Sequence, residues 1–238
     1  SMAGMFSAMG ADHIQDIGGT AIFDMAGGMS GDNFKEMGSD SAFGMFSAMG
    51  SDMAGGMTGD SMAGMFSAMG ADHIQDIGGT AIFDMAGAMS GADYMSMGSD
   101  SAAGMFATMG DARVMDMGKD AMGGMFSAMG QERLAGMAGD TAVGAFDKLG
   151  TDGFKDMGGA SMAGMFSAMG ADHIQDIGGT AIFDMAGGMS GDNFKEMGSD
   201  SAFGMFSAMG SDMAGGMTGD SMAGMFSAMG ADHIQDIG

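Results

Sequence analysis

Between Asp60 and Gly70 the large apolar side chains fall at Met62, Met65, Phe66 and Met69. That is the i, i+3, i+4, i+7 spacing of one helix face, not the alternation of a strand. On a helical wheel the four lie within an arc of roughly 100°. Ala102, Met105, Phe106 and Met109 repeat the pattern before Gly110, and Ala142, Ala145, Phe146 and Leu149 repeat it before Gly150. Asp60, Thr80, Asp100, Asp120 and Asp140 stand ahead of such stretches. They are predicted N-caps, because a carboxylate or hydroxyl there accepts a hydrogen bond from a free first-turn N–H. Gly70, Gly110, Gly130 and Gly150 are predicted stops in a left-handed C′ conformation.

A shorter segment follows each long one. Asp72, Ile74 and Ile77 precede Gly78, with Asp72 as cap and Gly78 as stop. Phe34 and Met37 before Gly38, capped by Asp32 or Asn33, have the same form, as do Asp111, Val114, Met117 and Gly118, and Asp152, Phe154, Met157 and Gly158. Each predicts about one and a half helical turns. Helices this short do not persist alone in water. Glycines inside the long segments, such as Gly64, Gly104 and Gly144, each cost about 1 kcal/mol more. The segments therefore require neighbours to pack against.

The neighbours are copies. Asp40, Asp60, Asp100, Asp120, Asp140, Asp200 and Asp220 mark a 20-residue period, with Thr20, Thr80 and Thr180 in the same phase and Ala160 breaking it. Residues 61–90 repeat 1–30 with one change, Gly28 against Ala88, and residues 161–238 are identical to 1–78. The expected fold is all-α: a solenoid of very short helix pairs with a 20-residue repeat inside a 160-residue super-repeat, because stacked repeats share a core that one repeat cannot build. A β-solenoid and a glycine-rich bundle of extended chains are the alternatives. With one layer per period and ~8–10 Å between helix axes, twelve layers make a rod roughly 100 Å long, and eight layers recur every 70–80 Å or so. Residues 1–238 are expected to form one continuous array without internal boundary, cut from a longer one. Gly64 and Ala68, four apart, leave a second face small enough for another backbone to approach. The core stripe is Met62, Met65, Phe66, Met69, Ile74, Ile77, Met105, Phe106, Met109, Phe146 and Leu149.

Composition narrows the picture. The chain carries 49 Gly and 39 Met, no Pro, Cys or Trp, and 46% hydrophobic residues. So many groups to bury argue against disorder, and glycine does not recur in collagen triplets. A net charge of −24 opposes nucleic acid and anionic membranes. No apolar run approaches the ~20 residues that span a bilayer, so membrane insertion is not expected.

Candidate chemistry is sparse. The acidic residues fit neither an EF-hand nor the nonapeptide calcium pattern, which leaves loosely associated cations such as Ca²⁺. Thioethers suit Cu(I), and "MDMGKDAMGGMF" (Met115 to Phe126) and "MAGGM" (Met53 to Met57) are methionine-dense. Yet Leu149, Val114, Ile74 and Phe154 stand at equivalent positions, where no ligand would be replaced by a hydrocarbon. Met53 and Met95, off the core phase, and His73, one of four copies with His13, His173 and His233, are the remaining metal candidates. Ser61 and Ser67 have no base at a telling spacing, so no catalytic residue and no cofactor is expected. Arg113, Lys119, Arg133, Lys148 and Lys155 form a less acidic band that would set lateral register between neighbouring rods.

The sequence thus reads as a structural protein, not an enzyme. It is expected to self-associate, laterally or end to end, into an extracellular or cell-surface filament, sheath or spacer. A metal-binding or storage module is the reading from another class. The stalk of a large adhesin is the third.

Overall fold

The computed structural model describes residues 1–236. The protein is all-α: eighteen short helices and no strand among the described residues. They group into two compact units, Ser1–Met129 and the residues from Gly130 on.

Long and short segments alternate as the apolar spacing predicts. In several places the two run together as one helix bent at a glycine. Ser39–Ala54 bends at Gly50, Gly59–Ile77 at Gly70 and Gly139–Asp156 at Gly150. Gly70 has φ 73° and ψ 171°. This is not the left-handed helical C′ conformation expected from sequence. Positive φ with extended ψ is a region essentially reserved for glycine. One residue thereby ends the long segment and starts the short one. Gly78 and Gly110 end their helices in the same region (φ 92° and 75°), and Gly130 (φ 80°) precedes the next.

The packing step departs from one layer per 20-residue period. Within the first unit, Gly31–Lys35 lies against residues 59–69, residues 71–77 against Ser99–Met109, and Gly91–Ser96 against Lys119–Met129. Within the second, Gln131–Ala135 lies against Gly159–Ile177, and Gly191–Lys195 against Gly219–Asp236. In each of these pairs a segment meets the third one after it, about 30 residues on. The sequence period holds two segments, so a step of three always sets short against long.

The predicted caps lie two residues inside their helices. Thr58, not Asp60, is the N-cap of Gly59–Ile77, its hydroxyl accepting from the Ser61 N–H at 3.2 Å. Gly78 precedes the helix that contains Thr80, Gly98 the one with Asp100, and Ala138 the one with Asp140. Asp120 is in the first turn of Lys119–Met129, and Asp72 follows the Gly70 bend. Asp32 and Asn33 yield to Ser30, which forms a capping box with Asn33. The helix begins where the preceding residue is extended, as at Thr58 (ψ 153°) and Gly98 (ψ 150°). In Thr58-Gly59-Asp60 that residue is the threonine. The aspartates still place negative charge in the first turn, which the helix dipole favours.

Of the predicted core, Met62, Met65, Phe66, Met69, Ile74, Met105, Met109 and Leu149 are buried. Ile77, Phe106 and Phe146 are half-buried. In all, 28 of the 39 methionines are buried, so the interior is largely thioether. Unbranched, polarisable side chains suit the irregular gaps between helices that cross at glycine.

Candidate functional site: the seam between stacked segments

The recurring chemistry of this chain sits where a segment meets its partner about 30 residues on. Three kinds of contact build the seam.

The first is backbone approach. Gly64 lies so close to Gly31 that a Cβ on it would collide with the Gly31 main chain. Gly124 meets Gly91 and Gly224 meets Gly191 in the same way. Gly104 faces Ala71, with its Cβ position 2.8 Å from the Ala71 Cα. Gly164 faces Gln131, whose buried Oε1 has no hydrogen-bond partner. The small-residue face read around Gly64 is therefore the seam itself.

The second is polar and sequence reasoning missed it. Asp60 Oδ2 accepts from the Gly31 N–H at 2.8 Å, Asp120 from the Gly91 N–H at 2.7 Å, and Asp220 from the Gly191 N–H at 2.8 Å. Each aspartate serves an N-terminal N–H of a neighbouring helix rather than of its own. Beside it, the buried Ser61 Oγ donates to the Met29 carbonyl at 2.9 Å, and Ser221 to Met189 at 3.0 Å. A hydroxyl on the polar side of a predicted stripe carries no hydrophobic signal. Its one visible mark is its recurrence at Ser41, Ser61, Ser101, Ser161, Ser201 and Ser221, all buried.

The third contact is aromatic and acidic. His73 stacks on Phe43 with centroids 4.6 Å apart and rings 6° from parallel, and its Nε2 lies 3.1 Å from Asp40 Oδ1. His233, Phe203 and Asp200 repeat the cluster at 4.6 Å and 2.9 Å. His173 reaches Asp140 only at 4.0 Å, with Val143 where the other clusters have phenylalanine. Arg113 takes this place opposite Thr80, its Nη2 donating to the hydroxyl at 3.0 Å. A cleft of about 770 Å³ opens beside the first cluster, lined by His13, Asp12, Asp40, Phe43 and His73 among others.

The three metal candidates are not brought together in one site. His73 is held in its stack, and Met53 is half-buried with its methyl against Gly19. Met95 is open to solvent, 57% exposed. Among the described residues no group of three or more His, Cys, Asp or Glu is placed to hold a metal ion, and no helix is long and apolar enough to cross a membrane. Two members of the basic band, Arg113 and Lys155, bond within the chain. Lys155 Nζ donates to Asp184 at 2.9 Å, and this bond holds its ammonium above the usual lysine range although the side chain is solvated. Outside the band, Lys195 bonds Asp192 at 2.9 Å and keeps that carboxyl below its usual range.

The single tyrosine, Tyr94, occupies the buried place that Phe34 and Phe194 hold elsewhere. Burial first, and the Asp93 carboxylate second, push its phenol well above the ordinary range. The folded chain therefore keeps this proton at pH values where the unfolded chain has lost it. Stability from this residue is full below about pH 10 and falls as pH rises further. Urea midpoints at pH 8 and pH 11 are expected to drop more for the native chain than for Tyr94→Phe. Equal drops would remove Tyr94 from the alkaline response.

Comparison with protein-family models, with curated proteins and with solved structures finds no match.

Proposed function

We propose that this chain is a structural repeat protein, an α-solenoid segment whose role is to extend: a rod, filament or fibre serving as surface stalk, sheath or spacer outside the cell. One observation carries the reading. The same seam recurs within each unit at a constant chain step, Gly31 with Asp60 and Gly91 with Asp120 in one, Gly191 with Asp220 in the other. A fold whose recurring polar residues are engaged in joining one segment to the next gains length from each added copy. Self-association laterally or end to end belongs to the same proposal.

A step of about 30 residues also changes the expected dimensions. Within a unit, each return of about 30 residues then adds roughly 8–10 Å at the usual helix separation. Small-angle scattering of the purified chain and electron microscopy at rising concentration test this. Elongated particles that assemble into fibres as concentration rises are the expected result. A compact globule at every concentration would sink the proposal.

A further inference from the structure

The methionines divide sharply by access to water. Met62, Met65, Met105, Met125, Met162 and Met165 are fully enclosed, whereas Met95 is 57% exposed and Met5 and Met2 are 46% and 39% exposed. Met95 sits in Gly91–Ser96 at the place where the related segments Gly31–Lys35 and Gly191–Lys195 have Lys35 and Lys195. It is a thioether at a position built for a solvated charge, and no core contact depends on it.

We propose that the chain has a two-stage response to hydrogen peroxide. Met95, the most exposed, leads the modification sites of the folded protein, with Met5 and Met2 behind it, and the enclosed methionines are modified only as the fold opens. In each event a sulfur lone pair attacks one peroxide oxygen and the O–O bond breaks. The sulfur takes up that oxygen as sulfoxide, and the other leaves as water. At Met95 the new S=O points into solvent and leaves the helices as they were. At Met62 or Met65 the same group is a polar acceptor enclosed in a largely thioether and hydrocarbon interior. Burying it unpaired is unfavourable, so core oxidation and folding exclude each other. Hydrocarbon at Ile74, Val114, Leu134 and Leu149 cannot be oxidised this way, and these buried side chains remain as anchors between the labile ones.

The test is graded peroxide treatment of the full chain, with sulfoxide located by mass mapping and helix content followed by circular dichroism. Met95 sulfoxide is expected to form about tenfold or more faster than sulfoxide at Met62, Met65 or Met165, with unchanged helix signal. Core sulfoxides are expected to appear together with helix loss, and urea that opens the fold is expected to erase the difference between Met95 and the core. Met95→Leu removes the Met95 share of the early phase, leaves that of Met5 and Met2, and leaves the later phase unchanged. Core methionines oxidised as fast as Met95 in a chain of undiminished helicity would overturn the proposal. So would a Met95 no faster than the core. Because the readout is chemical, it is independent of whether the chain forms fibres.

Discussion

Gly64→Ala is expected to lower the stability of the Ser1–Met129 unit by about 1–3 kcal/mol, even though alanine is the better helix former by about 1 kcal/mol. In an isolated helix the change would stabilise. Here the added methyl would meet main-chain atoms of Gly31, which no rotamer change can move aside. The two segments must separate, and separation also strains the Asp60 bond to the Gly31 N–H and the Ser61 bond to Met29. Gly118 has open space at its Cβ position, so Gly118→Ala is expected to stay within about 0.5 kcal/mol of the native chain. Urea unfolding followed by circular dichroism measures both. A Gly64→Ala chain as stable as the native one would mean that the seam can open without cost.

The second large effect belongs to Phe66. Its ring is fully enclosed, in a stripe with Met62, Met65 and Met69. Truncation to alanine removes the ring and leaves a cavity, which costs about 3–5 kcal/mol in well-packed interiors. That is a large share of the 5–15 kcal/mol or so that holds a typical domain together. Phe106 is half-buried and meets Phe126 edge-on at 6.0 Å. Its truncation should cost less than that of Phe66. Thermal or urea midpoints in the order native, Phe106→Ala, Phe66→Ala are the expected result. The reverse order would mean that the half-buried ring, not the enclosed one, anchors the helix.

Much of this was legible in the residues. The spacing of Met62, Met65, Phe66 and Met69 predicts a helix and its buried face, and Gly70 and Gly110 mark where direction changes. The starts were not legible to the residue. In Thr58-Gly59-Asp60 two acceptors stand two apart, and either is a competent cap by chemistry. Backbone geometry after Met57 decides between them, and the freed aspartate turns to its neighbour. The packing step was hidden for a related reason. A 20-residue period says that two kinds of segment alternate. How far the chain turns between them depends on dihedral angles at glycines such as Gly70 and Gly78, which glycine's identity leaves open. One trace of the step is nevertheless present. Residues 1–30 recur at 61–90, and 60 is the first interval common to periods of 20 and 30.

A two-part period wound with a three-part return also bears on how such a gene grows. Inserting or deleting one whole period moves every later segment by two places, an even number, so unlike partners still face each other. A ten-residue slip would set like against like, with glycine-bearing helices opposed to one another and the short pieces left without a long companion. Unequal crossing-over in whole twenty-codon units is therefore the tolerated edit, and half-unit products should fail to mature.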